Sequence, residues 1–475
     1  MIEYPMRKFR LLIVLLFFLS AGCASIEKPD LAYWSQMPIQ EEFKEGERVL
    51  ILAPHPDDEA IACAGVIQQA LKAGSKLKVV YLTNGDHNEL AFIVYEKRIT
   101  IRQGEFVHMG QVRQQESIKA MKFLGLSEDD LVFLGYPDYG TFNIFSRYWQ
   151  VKKPFRDRLT RISSVPYKDN PSYGAAYCGE SILNDLTKQI LDYKPDKIFV
   201  SHPADVNVDH KSLYLFLQVA LSDLEGRINA PRVYPYLVHC VGWPKPRHYH
   251  PELELYPPNK FIGSDISWAR LNLGFDELDK KYQSILFYRS QTESSAFYLF
   301  SFARENELFG DYPVLELDPQ QAKGKAVFYY GASKMFKEVE TETAGSPGQE
   351  SLLESQGQVS YAQEDGNFIV RVDKPKKLSN RFGVLLYAFG YSRNTAFAAM
   401  PKIRVITAGK KIRVFNGQKR VLNAGVTLEL SRNYLILKIP LELLGAPEYI
   451  LTALKAFHGN LPIDVVGFRK IKINK

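Results

Sequence analysis

The stretch Ala53-Pro54-His55-Pro56-Asp57-Asp58-Glu59 gathers one histidine and three acids. A His and an Asp held in one turn can bind a divalent cation, while a neighbouring carboxylate aimed elsewhere can take a proton from water. Three acids beside a histidine repel one another unless a cation offsets the repulsion. A second cluster lies far along the chain, in Ser201-His202-Pro203-Ala204-Asp205-Val206-Asn207-Val208-Asp209-His210. Two His and one carboxylate leave a zinc ion an open position for water, as a hydrolytic site requires. Within this cluster Asp205 reads equally as an Asx turn, a helix cap or a site residue. Asp209 reads as a helix cap or as a carboxylate that orients a histidine beside it. His239, His248 and His250 flank a proline-rich loop and read as surface histidines.

The elements that must position these clusters are legible as hydrophobic patterns. Val49-Leu50-Ile51-Leu52 and Lys197-Ile198-Phe199-Val200 are short apolar runs of the kind that form buried parallel strands. Each run ends in one of the clusters, and a helical pattern follows each. Both clusters are therefore expected at the carboxyl ends of strands, where open α/β sheets hold their ligands. Strand patterns near 49–54, 77–83, 131–135, 197–201 and 232–239 alternate with helical patterns near 58–73, 110–124, 179–193 and 210–224. That alternation predicts an α/β fold, a Rossmann-like parallel sheet with helices on both faces. The aromatic, basic stretch from Tyr139 to Gly179 reads as an insertion over the carboxyl edge that shapes the substrate site. Its aromatics serve equally to stack on sugar rings or to pack the insertion against the domain. Glu338 to Gln358 is rich in Glu, Ser, Gly and Thr and reads as a flexible loop. Period-two runs such as Phe368-Ile369-Val370-Arg371-Val372 and Tyr434-Leu435-Ile436-Leu437-Lys438-Ile439 then predict a C-terminal antiparallel β-sandwich.

The two clusters resemble the PIG-L/LmbE family of zinc-dependent N-acetylglucosaminyl deacetylases, with its AHPDDE-type first motif and HPxDxNxDH-type second motif. The resemblance runs from about Glu47 to Phe309 and takes in Thr83-Asn84-Gly85-Asp86, Arg113-Gln114-Gln115-Glu116 and Phe133-Leu134-Gly135-Tyr136-Pro137-Asp138. It implies that His55, Asp58 and His210 are zinc ligands, other divalent metals being possible, and that Asp57 is the general base. It also implies that Asp209 tunes a histidine and that Arg113, Asp138 and Asp86 contact substrate. Taken alone, Arg113 reads equally as a solvated charge or a partner of Glu116. Several members carry a histidine where this chain has Asn207, so the oxyanion role is expected to fall to Asn207, to His202 or to the metal alone. The implied reaction removes acetyl groups from a GlcNAc-like amino sugar in a glycan or glycoconjugate. Two alternatives stand beside it: another metal-dependent amide or ester hydrolase, and a non-catalytic glycan-binding surface lipoprotein. The segment Ile439-Pro440-Leu441-Glu442-Leu443-Leu444-Gly445-Ala446-Pro447 loosely resembles carbohydrate-binding sandwiches.

The amino terminus carries Arg7, Lys8 and Arg10 before a short apolar core from Leu11 to Leu19, and then Ser20-Ala21-Gly22-Cys23. This pattern is that of an export signal rather than a spanning helix. It resembles a bacterial lipoprotein signal with lipid on Cys23, although Leu19 stands one place further from the cysteine than is usual; simple secretion is the alternative. The expected organisation is a signal peptide at 1–22, a tether at 23–43, the metal-dependent domain at 44–312 and the sandwich at 313–475. The expected location is the bacterial cell envelope, lipid-anchored on the periplasmic or outer-membrane side. The chain has 475 residues, 46% of them hydrophobic, enough for more than one core. Its net charge of +7 is scattered in short runs such as Lys374-Pro375-Lys376-Lys377, so nucleic acid is not an expected partner. Four cysteines exclude a disulfide scaffold, while leaving open a pairing of Cys178 with Cys240 in an oxidising compartment.

Overall fold

The computed structural model describes residues 29–88, 93–95, 97, 103–317, 329–334, 358–373, 381–459 and 461–474. The expected export signal with Cys23, the lysine run at 374–377 and nearly all of the stretch 338–358 lie outside these residues. Among the described residues no helix is long and apolar enough to cross a membrane.

The first sheet forms where the sequence places its apolar runs. Strands β1 (Arg48–Ala53), β2 (Lys76–Thr83), β3 (Leu131–Tyr136), β4 (Lys197–Ser201) and β5 (Arg232–Tyr236) pair in parallel. Helices α1 (Asp58–Lys72), α2 (Gln103–Leu124), α3 (Thr141–Arg147), α4 (Gly179–Tyr193) and α5 (Val208–Asp223) intervene between these strands. The central β1 is buried from Val49 to Ala53, which is why its apolar run is continuous rather than alternating. Two antiparallel strands that the sequence patterns do not reveal, β6 (Ser267–Asn272) and β7 (Asn306–Asp311), extend one edge. The order is β3-β2-β1-β4-β5-β7-β6, so the sheet is mixed rather than wholly parallel. Chain direction across the sheet reverses between β1 and β4. That is the topological switch point, where a crevice opens beyond the carboxyl ends of the strands. Helices α6 (Phe275–Ile285) and α7 (Arg289–Leu299) join β6 to β7.

The rest of the chain builds a sandwich of a five-stranded and a seven-stranded sheet. The larger sheet includes the short β8 (Leu315–Leu317) and the long β9 (Phe382–Tyr391), β10 (Tyr449–His458) and β11 (Leu461–Ile473). Its pairing is antiparallel except where β11 meets β8. Both faces of β9 and β10 are largely buried. Along β9, Val384, Leu386 and Ala388 enter the core between the sandwich sheets, while Phe389 and Tyr391 join the core formed by α3, α4 and α5. On β10 the same alternation sends Ile450 and Leu454 inward and Tyr449, Leu451 and Ala453 toward the first domain.

The insertion between β3 and α4 packs rather than opens. Trp149 is buried against Phe145, Phe216 and Phe397, and the Tyr167 hydroxyl is directed into the interior. Tyr173 remains exposed. Cys63, Cys178 and Cys240 are all free and buried.

Candidate metal centre

The turn after β1 is built to display its side chains. Asp57, the residue before α1, has φ 121°, a conformation that non-glycine residues avoid and that tends to persist at functional sites. Glu59 holds the turn in place. One of its carboxylate oxygens accepts hydrogen bonds from the Tyr81 and Tyr288 hydroxyls and from Ser117 Oγ, and the other accepts the Asp57 N–H at 2.9 Å. Glu59 is therefore the anchor of the motif, with Asp57 and Asp58 free to face the crevice. Arg113 clamps the same turn. It donates to Pro56 O at 2.6 Å, to Gly85 O at 2.8 Å and to Asp57 Oδ2 at 3.2 Å. Gly85, at φ 65°, is needed there because a Cβ would stand 2.0 Å from the Arg113 guanidinium. Burial raises the Asp57 carboxyl to about 7 against the opposing pull of Arg113.

The two clusters meet across the switch point. His55 Nδ1 and His210 Nε2 each lie 3.2 Å from Asp58 Oδ2. Zinc bonds of about 2.0–2.1 Å place neighbouring donors of a tetrahedron roughly 3.3 Å apart, so this three-atom corner has the spacing of a cation site. Neither ring nitrogen of the fully buried His210 has a hydrogen-bond partner, although Asp205 Oδ2 stands 3.0 Å from Nδ1. The orphaned Nε2, beside Asp58, suits a divalent cation, with Asp205 standing behind Nδ1. Burial depresses the His210 imidazole, but Asp205 and Asp58 outweigh it and hold the ring up at about 9. His239 also contributes: one ligand atom from each of His55, Asp58, His210 and His239 lies within 4.8 Å of the others.

A second group of carboxylates surrounds the other side of His55. Its Nε2 lies 3.1 Å from Asp138 Oδ1 and 3.4 Å from Asp209 Oδ2. Asp209 is in turn fixed by the Tyr139 N–H at 2.7 Å and by Thr141, whose N–H and Oγ1 donate at 3.3 and 2.5 Å. The expected tuning role thus divides. Asp209 faces His55, while Asp205 stands against its cluster mate His210. Asp205 also accepts the backbone N–H groups of Val238, His239 and Asn207, so its Asx-type bonding and its place at the site coexist.

The crevice has a cavity volume of about 470 Å³ and is bordered by His55, Asp57, Asp58, Arg113, Asp138 and Asn207. Further walls come from His87, Asn88, Tyr139, His239 and, on α7, Gln291, Tyr298 and Leu299. Asn207 Oδ1 accepts the Asp209 N–H, making Asn207 the N-cap of α5 as well as a wall of the crevice. Two expected residues stand elsewhere. His202 is sealed in the core, stacked on Trp268 at 5.6 Å, with Nδ1 accepting the Ala204 N–H; it does not border the crevice. Burial lowers its imidazole to about 3, so it stays neutral. Asp86 is turned inward to accept the Tyr167 hydroxyl at 2.7 Å, and His87 and Asn88 border the crevice in its place.

His239, read from sequence as a surface histidine, is instead a member of the metal-capable group. It was findable, because it closes the run after β5, which points at the same sheet edge as β1 and β4. Its ring stacks on Tyr298 at 5.9 Å and meets His210 edge-on at 4.7 Å. Burial lowers its imidazole to about 4.

Residues 50–221 match the PIG-L family, described as GlcNAc-PI de-N-acetylase. No curated protein matches the chain. Among solved structures, a conserved protein of Thermus thermophilus is similar at 19% identity and TM-score 0.29, covering 51% of this chain and 79% of that one. The N,N'-diacetylchitobiose deacetylase of Pyrococcus horikoshii is similar at 16% identity and TM-score 0.31, covering 61% and 81%. The 4-carboxy-2-hydroxymuconate hydratase of Pseudomonas putida is similar at 17% identity and TM-score 0.35, covering 57% and 98%. The chain carries a PIG-L family domain.

Proposed function

We propose that this PIG-L family domain is a zinc-dependent hydrolase that removes the acetyl group from an N-acetylated, GlcNAc-like amino sugar of a glycan or glycoconjugate. The observation that carries the reading is the meeting of His55, Asp58 and His210 at 3.2 Å spacings with Asp57 bordering the same crevice. The family description, a de-N-acetylase of an amino-sugar lipid, supports the choice of bond and sugar.

His55, Asp58 and His210 would hold the cation, with His239 beside them. When bound, a divalent cation polarises an amide carbonyl and acidifies water. Asp57 takes the proton of the attacking water on its carboxylate, whose basicity burial raises. Arg113 holds the Asp57 carboxylate in place and offsets its charge before the proton arrives. Asp57 then returns the proton to the departing amine, which leaves as the free amino sugar while acetate is released. Asp205 and Asp209 keep the two imidazoles oriented from behind. Tyr139, 52% exposed at the rim, supplies an aromatic face for a sugar ring. A lipid anchor at Cys23 would hold the enzyme in the cell envelope beside such glycans.

The test is acetate release from a panel of N-acetylated cell-wall and capsular oligosaccharides, before and after chelation and after zinc is returned. The reading expects release that chelation abolishes and zinc restores. Metal-independent release, or none from any amino sugar by zinc-loaded protein, contradicts it.

A further inference from the structure

The sandwich borders the crevice with none of its described residues, yet it touches both loops that support the metal centre. One part of this contact is made at an irregularity in β11. Thr452 pairs with Arg469 and Leu454 with Val466, so the single residue Ala453 opposes the pair Gly467–Phe468. This is a β-bulge, which releases backbone groups from the ladder and re-aims a side chain. The Phe468 N–H donates instead to Pro203 O at 3.4 Å, in the loop of the second motif. Gly467 does not have a positive φ, so its lack of a side chain answers to space. A Cβ there would lie 2.9 Å from both Cα and Cβ of Ala204 and 3.1 Å from its nitrogen. The next residue after Ala204 is Asp205, the carboxylate against His210.

The same bulge faces α3. The Phe468 ring lies 5.8 Å from Phe142, which also meets Tyr387 of β9 edge-on at 5.3 Å. Phe145, one turn on, packs against Phe389 and Phe397. Phe142 follows Thr141, which fixes Asp209 and through it His55.

We propose that the Gly467–Phe468 bulge is a positioning element of the metal centre, seating the sandwich against Pro203–Ala204 and α3 so that Asp205 and Asp209 are held against His210 and His55. The inference rests on the reading of His55, Asp58 and His210 as metal ligands. In this role the sandwich is a buttress of the site rather than a pendant module.

The experiment measures zinc affinity of the full chain by competition with a chromophoric chelator, using zinc alone as the probe. Gly467→Ala drives a methyl group into Ala204 and is expected to weaken zinc binding about 10- to 100-fold, as loss of an outer support does. Val370→Ala, in the core between the sandwich sheets and away from the bulge, loosens the sandwich and is expected to leave zinc affinity unchanged. Adding Ala204→Gly to Gly467→Ala relieves part of the clash and is expected to restore part of the affinity. If Gly467→Ala does not fold, Phe468→Leu keeps the bulge backbone, trims the contact on Phe142 and enters the same comparison. A folded Gly467→Ala or Phe468→Leu protein that binds zinc as tightly as the parent overturns the proposal. So does a Val370→Ala protein that loses as much affinity. A parent chain that binds no zinc overturns instead the metal reading on which the inference stands.

Discussion

At the scale of single residues, the site assigns different work to chemically identical groups. Asp57, Asp58 and Glu59 are three consecutive acids, yet one borders the crevice at a strained backbone, one faces two histidines, and one is consumed by three hydroxyls and a backbone N–H. Sequence shows that the acids gather, but not which way each points, because direction depends on partners such as Tyr288 and Arg113 that come from distant elements. The same limit explains the histidines. His202 and His210 share one motif, but the first stacks on Trp268 while the second stands against Asp58. Asp205→Asn is expected to lower zinc affinity about 10- to 100-fold by removing the charge behind His210 Nδ1, measured by chelator competition. His202 yields a pH prediction. Its folded value near 3 lies below the 6.5 of a free histidine, so the unfolded chain binds the proton more readily. The stability it supports is complete above about 6.5 and declines as pH falls toward 3. His202→Phe, which keeps the stack on Trp268, is expected to flatten the pH dependence of urea unfolding in that window; an unchanged slope contradicts the assignment.

At the scale of elements, the parallel strands are legible because burial on both faces makes their apolar runs continuous. Strand β7 is hidden by its own chemistry. Its buried Glu307 accepts the backbone N–H groups of Gly65 and Val66 and pairs with the equally buried Lys281 of α6. Those two charges replace the apolar residues that would have marked both elements, since a buried charge survives only when paired. The loop after β2 is similarly opaque. Asn84, Gly85 and Asp86 carry no periodicity, and only the structure shows Gly85 making room for Arg113. Gly85→Ala is expected to push that guanidinium off Pro56 and Asp57, lowering turnover on the order of 10²-fold, as a displacement of about 1 Å does. Zinc affinity is expected to stay unchanged, because Arg113 contacts none of His55, Asp58 or His210. Steady-state kinetics with a parallel zinc titration separates the two effects.

At the scale of the whole molecule, the sandwich was foreseeable from period-two runs, but its second buried face was not. The alternation of Val384, Leu386 and Ala388 with Tyr387, Phe389 and Tyr391 reads as an apolar stretch, and sequence does not say that the outer face packs on α3 and α5. A large apolar interface removes the independence that two domains would otherwise show. Calorimetry of the metal-free chain is therefore expected to give one unfolding transition, and two separated transitions contradict a shared core. The same long-range folding brings the two motif halves, at the ends of β1 and β4, to one crevice. The most direct test of the account is Asp57→Asn, assayed for bound zinc and for acetate release in one preparation. The account predicts that the variant retains its zinc while release falls about 10²- to 10⁴-fold. Release at the parental rate, with zinc still bound, contradicts it.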